Sequence, residues 1–322
     1  MGTGGTIAGK AAHASDNIGY TAAQLGVDDL LASVPGLAGV LNGHQVLCEQ
    51  VAQVDSKDMD FALWRRLAQR VQHYLAREEV SAVVITHGTD TLEETAFFLH
   101  VLLPAELQNS KPVVLTCAMR PATALNPDGP SNLLDAVCCA LSRGARGVVV
   151  VCAGSVHTAR DVQKVHTYRL DAFSSADAGP VAYVEEAHLR MVREWPLVPA
   201  NQSPIAIEKL PHPDHWPRVE IVMSFAGCTG ALVDTALQRV EGIPPAQGLV
   251  VAATGNGTLH HALEAALQRA SLAGVKVVRA SRCVYGRVLP TVSARFADSA
   301  GLTPVKARIA MLLDLMRAGV GD

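Results

Sequence analysis

The sequence lacks any long hydrophobic run, although apolar residues are plentiful in it. Its 322 residues are 49% hydrophobic and only 18% charged, with a mean hydropathy of +0.21. A helix that spans a membrane needs about 20 consecutive apolar residues. The longest apolar runs, at 147–153 and 248–253, instead have the length of buried parallel strands. The sequence therefore predicts no membrane span.

Clusters of basic residues are also missing. The 27 lysine and arginine residues are balanced by 30 aspartate and glutamate residues, which gives a formal net charge of −3 and a pI near 6.5. Domains that bind nucleic acid concentrate positive charge on one face. We therefore expect no nucleic-acid partner.

The seven cysteines lack the spacing of a metal site or of a disulfide framework. They are scattered, Cys138 and Cys139 are adjacent, and no Cys-x-x-Cys motif occurs. This pattern is typical of a reducing compartment, so we expect a cytoplasmic protein without a bound metal. No signal peptide is visible, and no strand precedes the glycine-rich turn at 2–6, so the chain looks truncated at this end.

Short apolar segments alternate with amphipathic segments along most of the chain. Strands are predicted at 82–85, 113–116, 147–152, 219–223, 249–253 and 275–279. Helices are predicted at 58–77, 92–103, 131–142, 259–272 and 304–318. Strands that alternate with helices indicate an α/β fold with a largely parallel sheet. Ligands of such sheets bind in the turns at the carboxyl ends of the strands.

A proline-rich stretch divides the chain into two predicted domains. Residues 194–217 contain six prolines and show little periodicity, so we predict an inter-domain linker there. The amino-terminal α/β domain then covers 1–193 and is expected to carry the catalytic turns. The smaller carboxyl-terminal α/β domain covers 218–322.

The first candidate segment is the glycine-rich turn at 2–10. It approaches two nucleotide-binding motifs without completing either one. Ile7 stands where a dinucleotide fingerprint has its third glycine, and Ala11 replaces the hydroxyl residue that holds magnesium in a phosphate-binding loop. Two alternatives stay open for this segment. The protein could bind a phosphate ligand through it, or the segment could be a tight turn in which Thr6 is only a surface hydroxyl.

The second candidate segment begins where the strand at 82–85 ends. His87, Thr89 and Asp90 occupy the turn, and a helix follows with a predicted capping box from Thr91 to Glu94. Free N–H groups at a helix start favour the charged form of Asp90. Capping alone would explain part of this composition, but the turn is richer in reactive groups than capping requires.

The third candidate is Lys164, in the segment 160–166. A lone lysine is usually a solvated charge. We expect a catalytic role for Lys164 only if the fold brings it beside a threonine hydroxyl. There a neutral amine can act as the general base, because threonine by itself is a poor nucleophile.

Two of these segments resemble the signature motifs of the bacterial-type L-asparaginase/glutaminase family. They are Gly4-Gly5-Thr6-Ile7-Ala8-Gly9 and Thr86-His87-Gly88-Thr89-Asp90-Thr91-Leu92-Glu93-Glu94-Thr95-Ala96. Further similarity is found at Tyr20, 55–59, 117–121, 128–130, 159–164 and 255–257, and so extends over nearly the whole chain. The resemblance implies a larger flavodoxin-like domain with a parallel sheet, a second, smaller α/β domain, and a homotetramer or homodimer without metal or cofactor.

The resemblance also implies an activity and roles for single residues. The family hydrolyses L-asparagine to L-aspartate and ammonia through a threonine acyl-enzyme, with glutamine as a poorer substrate. Thr6 matches its nucleophile, and Tyr20 matches the lid tyrosine that hydrogen-bonds the nucleophile. The second constellation comprises Thr89, the Lys164 that deprotonates it, and Asp90, which holds the α-ammonium of the substrate.

Three further positions match parts of the family that bind the substrate. Ser56 matches the hydroxyl that binds the α-carboxylate. Ala118 matches the position whose backbone contacts the side-chain amide. Asn256 would come from the small domain of a neighbouring subunit.

Two departures from the family pattern affect substrate binding. Lys57 follows Ser56 where the family often has glutamine or glutamate, and no acid occurs between Glu264 and Asp298, where many members supply one across the subunit interface. We expect Lys57 to favour the substrate's α-carboxylate and to disfavour its α-ammonium, unless Lys57 pairs with Asp58 or points to solvent. A catalytically silent asparagine sensor is therefore a second alternative.

Overall fold

The apolar runs of the sequence form the central strands of two sheets. The computed structural model describes residues 1–199, 205–292 and 294–319. The chain divides into two compact units, Met1–Ile207 and Glu208–Asp322. This division falls inside the stretch 194–217 that the sequence analysis interprets as a linker. Residues 200–204 of that stretch lie outside the described residues.

The first unit contains a large mixed sheet and the helices that cover it. Its strands are β1 (Gly2–Gly4), β2 (Lys10–Ala11), β3 (Tyr20–Thr21), β4 (Gln50–Val54), β5 (Val83–Thr86), β6 (Pro112–Thr116), β7 (Gly147–Cys152), β8 (Ser155–Thr158), β9 (Gln163–Lys164), β10 (Phe173–Ser174), β11 (Ala182–Glu185) and β12 (His188–Met191). Its helices are α1 (Val27–Ala32), α2 (Leu37–Leu41), α3 (Phe61–Leu75), α4 (Leu92–Leu102), α5 (Ala105–Ser110) and α6 (Gly129–Leu141).

The large sheet has the strand order β4-β1-β5-β6-β7-β8-β11-β12. The first five of these strands are parallel to one another, and the last three are added antiparallel. If the parallel strands are numbered along the chain, their order is 2-1-3-4-5, which is the flavodoxin-like arrangement. The predicted flavodoxin-like domain is confirmed, but the sequence analysis did not predict the antiparallel extension.

Strand β1 contradicts the expectation that no strand precedes the glycine-rich turn. Gly2–Gly4 is itself a strand, paired in parallel with β4 on one side and β5 on the other. The Gly2 N–H donates to the Glu49 carbonyl at 2.9 Å. Glycine has a low strand propensity, so the pairing on both sides, and not the local sequence, determines this element.

Helices α3 and α4 pack against each other beside the sheet. Helix α3 begins after Asp60, whose side chain accepts the Leu63 N–H at 2.8 Å. Trp64 stacks on Phe98 of α4 with ring centroids 4.8 Å apart, and its indole N–H donates to the Thr95 hydroxyl at 2.9 Å. These contacts join the helix that follows β4 to the helix that follows β5.

The second unit is a smaller α/β domain, as predicted. Its four-stranded sheet is parallel throughout and has the strands β13 (Val219–Met223), β14 (Gly248–Ala253), β15 (Lys276–Ser281) and β16 (Ala297–Asp298). Its helices are α7 (Ala231–Ala236), α8 (His261–Leu272) and α9 (Pro304–Gly319). Within the described part of the chain, no helix has the length and apolar character that crossing a membrane would require.

Candidate active site

Three turns that carry hydroxyl side chains lie at one edge of the large sheet. Thr6 follows β1, Ser56 follows β4 and Thr89 follows β5, and these three strands are neighbours. The strand order reverses between β1 and β5. In open α/β sheets this switch point, outside the carboxyl ends of the strands, is where ligands bind. The fold therefore places both threonines where a substrate is expected.

Two glycines allow these turns to pack backbone against backbone. Gly5 has φ +83°, and a Cβ added to it would lie 2.2 Å from the Gly88 Cα. A Cβ added to Gly88 would lie 2.5 Å from the Ser56 Oγ. Any larger residue would force the turns apart, so the glycines of the two motifs are required by the close approach of the three turns.

The first cluster consists of Thr6 and Tyr20. Thr6 is 7% exposed and begins the short 3-10 helix Thr6–Ala8. Its Oγ1 lies 2.7 Å from the Tyr20 hydroxyl, and either atom can donate. Tyr20 belongs to β3, which pairs with β2 as a hairpin, and the Ala11 N–H of that hairpin donates to the Thr123 Oγ1 at 2.8 Å.

The second cluster consists of Thr89, Asp90 and Lys164. The Lys164 ammonium donates to the Thr89 Oγ1 at 2.8 Å and to the Asp90 Oδ1 at 2.7 Å. Thr89 is 6% exposed, whereas the Lys164 and Asp90 side chains are 18% and 53% exposed. The fold therefore does bring Lys164 beside a buried threonine hydroxyl, which is the condition under which a role as general base is expected.

Lys164 is held in place by the elements around it. It lies in β9, opposite Phe173 of β10. Its backbone N–H donates at 3.2 Å to the carboxylate of Glu93, a buried residue of α4, the helix that follows Thr89. The lysine and the threonine are thus tied to the same helix.

Ser56 is buried and links two of the turns. Its Oγ accepts the Asp90 N–H at 3.1 Å, and its carbonyl accepts the Thr91 hydroxyl at 2.7 Å. The predicted capping box is wrong, because the Thr91 side chain makes no capping hydrogen bond and its hydroxyl donates to Ser56 instead. Thr91 stabilises the contact between the turns rather than the helix end.

Lys57 does not join the two clusters. Its side chain is 62% exposed, and its Nζ lies 2.6 Å from the Asp55 Oδ2 and 3.5 Å from the Asp58 Oδ2. The hydrogen bond from Lys57 to the Asp55 carboxylate, with the charge of Asp58 added, raises the pKa of Lys57. The predicted alternative, in which Lys57 pairs with Asp58 or points to solvent, is thus close to the structure, but the nearer partner is Asp55.

His87 is a site residue to which the sequence analysis gave no role. It is fully buried, and burial lowers its pKa to about 4, so the ring is neutral at neutral pH. The Nδ1 lies 2.8 Å from the Gly88 carbonyl, which requires the hydrogen on Nδ1. The Nε2 has no hydrogen-bond partner among the described residues. Its position between the strand end and Thr89 was the only signal in the sequence.

Ala118 lies in the turn that follows β6, the strand next to β5. It is fully buried and packs in one apolar cluster with Ile7 and Ala8, the two residues after Thr6. The turn that resembles the family's amide-binding position therefore adjoins the first cluster.

Asn256 belongs to the second unit. Its Oδ1 accepts the Leu289 N–H at 2.7 Å, and its Nδ2 donates to the Leu289 carbonyl at 3.5 Å. The turn around it is held by the Ser281 hydroxyl, which donates to the Gly255 carbonyl at 2.9 Å. The side-chain amide of Asn256 is thus engaged with the backbone of its own unit.

One cavity lies away from the two clusters. A cavity of about 610 Å³, lined among others by Glu49, Ser81 and Val83, opens at the amino ends of β4 and β5, the opposite edge from the threonines. Among residues 1–199, 205–292 and 294–319, no three histidine, cysteine, aspartate or glutamate side chains are grouped so that they could hold a metal ion.

Comparisons with known proteins match both units of the chain to one family. Residues 1–197 match the family model described as Asparaginase, N-terminal, and residues 218–318 match the Glutaminase/Asparaginase C-terminal domain. L-asparaginase 2 of Bacillus subtilis (strain 168) is 35% identical over 98% of this chain and 82% of its own length. The glutaminase-asparaginase of Pseudomonas fluorescens biotype A is 33% identical over 98% of this chain and 85% of its own length.

A solved structure shows the same fold over nearly the whole chain. The crystal structure of a probable cytoplasmic L-asparaginase from Campylobacter jejuni superposes with a TM-score of 0.86 at 35% sequence identity. The match covers 98% of this chain and 94% of that one. Both units therefore have counterparts in one known architecture.

Proposed function

The chain belongs to the bacterial-type L-asparaginase family, and from this premise we propose that it hydrolyses L-asparagine to L-aspartate and ammonia. The observation that carries the proposal is the Lys164 Nζ, which donates at once to Thr89 and Asp90. A lysine in this position is hydrogen-bonded both to a hydroxyl that can take part in acyl transfer and to a carboxylate that can bind the ammonium group of an amino acid. Relatives named glutaminase-asparaginase support glutamine as a second substrate, and we propose that it is the poorer one.

We assign the substrate's two charged groups to the turns after β4 and β5. The Asp90 carboxylate, half exposed, is open to the α-ammonium of an amino acid. The Ser56 hydroxyl accepts from the Asp90 N–H, so its own hydrogen is available to the α-carboxylate. Lys57 takes no part in this assignment, because it pairs with Asp55.

The reaction begins at Thr6 in this proposal. The Thr6 Oγ1 attacks the amide carbon, and the Tyr20 hydroxyl at 2.7 Å relays the proton of the threonine. A C–O bond forms, the C–N bond breaks, and the nitrogen leaves as ammonia with that proton. Backbone N–H groups of the glycine-rich turns stabilise the oxyanion that develops. The product of this half-reaction is the threonine ester of aspartate.

Water completes the reaction with help from the second cluster. Water attacks the ester carbon and forms a C–O bond while the Thr89 and Lys164 pair takes one of its protons. The bond from the ester carbon to the Thr6 oxygen then breaks, and that oxygen takes up the same proton, which restores the threonine hydroxyl. For this step Lys164 has to be a neutral amine. The α-ammonium of the bound substrate competes with Lys164 for the Asp90 carboxylate.

Assembly and location form part of the same proposal. We assign a homotetramer or homodimer in which Asn256 completes the site of a neighbouring subunit. The cytoplasm is supported by the seven cysteines, which are all free thiols, and by the cytoplasmic designation of the Campylobacter relative. The partner is a small amino-acid amide.

The two alternatives are less well supported. A phosphate-binding loop leads directly into an α-helix, whereas the turn after β1 continues into a short 3-10 helix and a hairpin. A catalytically silent sensor would not need a lysine that is hydrogen-bonded to a buried threonine. Neither alternative explains the second cluster.

Ammonia release separates these functions. We expect the purified protein to release ammonia from asparagine at a rate unaffected by EDTA, and Thr89→Val, which keeps the side-chain shape, to release almost none. Binding of asparagine without ammonia release would overturn the enzyme in favour of the sensor. Binding of phosphate ligands without ammonia release would favour the phosphate-binding protein.

A further inference from the structure

Asp128, the N-cap residue of α6, and Asn132, in the first turns of α6, hold the turn that contains Ala118, residues 117–120. The Asp128 carboxylate accepts the Met119 N–H and the Arg120 N–H, one on each oxygen and both at 2.9 Å. The Asn132 Nδ2 donates to the Cys117 carbonyl at 2.9 Å and to Asp128 at 3.2 Å. Both sides of Ala118 are therefore hydrogen-bonded to the same helix.

Asn132 extends this hydrogen-bond network to the neighbouring strand, β7. The Asn132 Oδ1 accepts the N–H of Ala153, the residue after β7, at 3.0 Å. Asn132 is 2% exposed, so these bonds are shielded from water. A buried amide with satisfied oxygen and nitrogen is a rigid connection between the turns after β6 and β7.

Because the peptide bond is planar, these hydrogen bonds also determine the direction of the N–H and C=O groups of Ala118. The Met119 N–H and the Ala118 carbonyl belong to one trans peptide and point in opposite directions. Because Asp128 accepts that N–H, the Ala118 carbonyl points away from α6. By the same argument, Asn132 on the Cys117 carbonyl directs the Ala118 N–H away from α6. The polar groups of Ala118 are thus aimed by Asp128 and Asn132.

We propose that Asp128, supported by Asn132, is a positioning residue that aims the Ala118 backbone at the side-chain amide of the substrate. This inference rests on the proposed function, since it takes the Ala118 backbone as the contact of the scissile amide. A carboxylate suits the position because all three of its partners are N–H donors, namely the amides of Met119 and Arg120 and the side chain of Asn132. An asparagine there would place its own N–H₂ against one of them.

Kinetics of Asp128→Asn test the proposal, with Asp135→Asn as the matched control. Asp135 lies within α6, the helix that Asp128 precedes, and the substitution likewise replaces a carboxyl group with an amide. We expect Asp128→Asn to lower kcat for asparagine about 10- to 100-fold, because a small misplacement of a positioning group has effects of that order. The KM should change by less than about threefold, since Ser56 and Asp90 bind the charged groups of the substrate elsewhere. Asp135→Asn should retain the kcat of the unaltered protein.

Hydrogen–deuterium exchange of the peptide that covers 117–120 provides a readout independent of activity. Asparagine keeps one acceptor oxygen, so Asp128→Asn leaves one of the two backbone N–H groups without its acceptor. The exchange of that group should speed about tenfold, which corresponds to a hydrogen bond of about 1.4 kcal/mol. If that variant does not fold, Asp128→Glu keeps the charge, moves it by one methylene, and carries the same two measurements.

The outcomes separate the two proposals. An unaltered protein that releases ammonia, beside a folded Asp128→Asn with the same kcat, would overturn the positioning role alone. Unchanged exchange at 117–120 would overturn the clamp itself. An unaltered protein that releases no ammonia would overturn the proposed function and, with it, the positioning role, even if the exchange result shows that the clamp exists.

Discussion

The two threonines at the sheet edge are equally buried but have hydrogen-bond partners of opposite character. Thr6 is 7% exposed and contacts the neutral phenol of Tyr20. Thr89 is 6% exposed and contacts the Lys164 ammonium, which also pairs with Asp90. One hydroxyl therefore lies in a neutral pair, and the other lies beside two opposite charges.

The support of each partner differs as well. Tyr20 lies in the hairpin of β2 and β3, a two-stranded sheet of its own, with the exposed Ile18 near its tip. Lys164 is bound through its backbone to the buried Glu93 of α4. The second cluster is thus complete within the folded domain, whereas the first depends on a separate hairpin. This difference suits the proposed reaction, in which Thr6 attacks the substrate and the second cluster takes the proton of the water.

Removal of either hydroxyl should have the largest effect. We expect Thr6→Val and Thr89→Val each to lower kcat by about 10³-fold or more, because valine keeps the shape and removes only the reacting group. Steady-state ammonia release measures kcat, and circular dichroism with the melting temperature verifies the fold. If either variant keeps more than about a tenth of the kcat, that threonine is not essential and the two-threonine scheme fails.

Loss of the charged partner should come next. We expect Lys164→Met to lower kcat about 10²- to 10⁴-fold, the usual contribution of a general base. Lys57→Met is the matched control, because the side chain of Lys57 is 62% exposed and pairs with Asp55 away from both threonines. Added ethylamine should restore part of the activity of Lys164→Met alone. Equal losses in the two methionine variants would show that Lys164 acts only through charge.

Loss of the neutral partner should be milder. Tyr20→Phe removes the hydroxyl 2.7 Å from Thr6 and leaves the ring of the hairpin in place. We expect a decrease in kcat of about 10- to 100-fold, smaller than for Lys164→Met, since water can replace a neutral proton relay. A decrease larger than that of Lys164→Met would reverse the comparison and make Tyr20 the principal base.

Much of this site could be predicted from short segments of the sequence. The turns with Thr6 and with Thr89 and Asp90 are continuous motifs at strand ends, so their residue types are visible without a fold. The apolar runs of β6, β7 and β14 are equally plain, because strands buried on both faces are uninterrupted by polar residues. Short sequence segments therefore predict those elements whose structure depends on residues close together in the chain.

What could not be predicted depends on contacts distant in the chain. Strand β1 consists of glycine and threonine and exists because β4 and β5 flank it. The Thr91 hydroxyl donates to Ser56, which is distant in the chain. The pairing of Lys57 is local, but both Asp55 and Asp58 are near it and their spacing does not decide between them. The clamp of Asp128 on the Ala118 turn needs α6 docked on the sheet. Such partners follow from tertiary packing, which overrides local propensity.

The smallest effect is expected at Lys57, which lies next to Ser56 but outside both clusters. Its charge is neutralised by Asp55 at 2.6 Å and Asp58 at 3.5 Å, and the side chain is 62% exposed. Exposed ion pairs act weakly on their surroundings, so Lys57→Gln should change the ratio of kcat/KM for asparagine to kcat/KM for succinamic acid by less than about twofold. Succinamic acid lacks the α-ammonium, so the ratio isolates any repulsion between that group and Lys57. A change of about fivefold or more, about 1 kcal/mol, would mean that Lys57 leaves Asp55 and turns to the substrate.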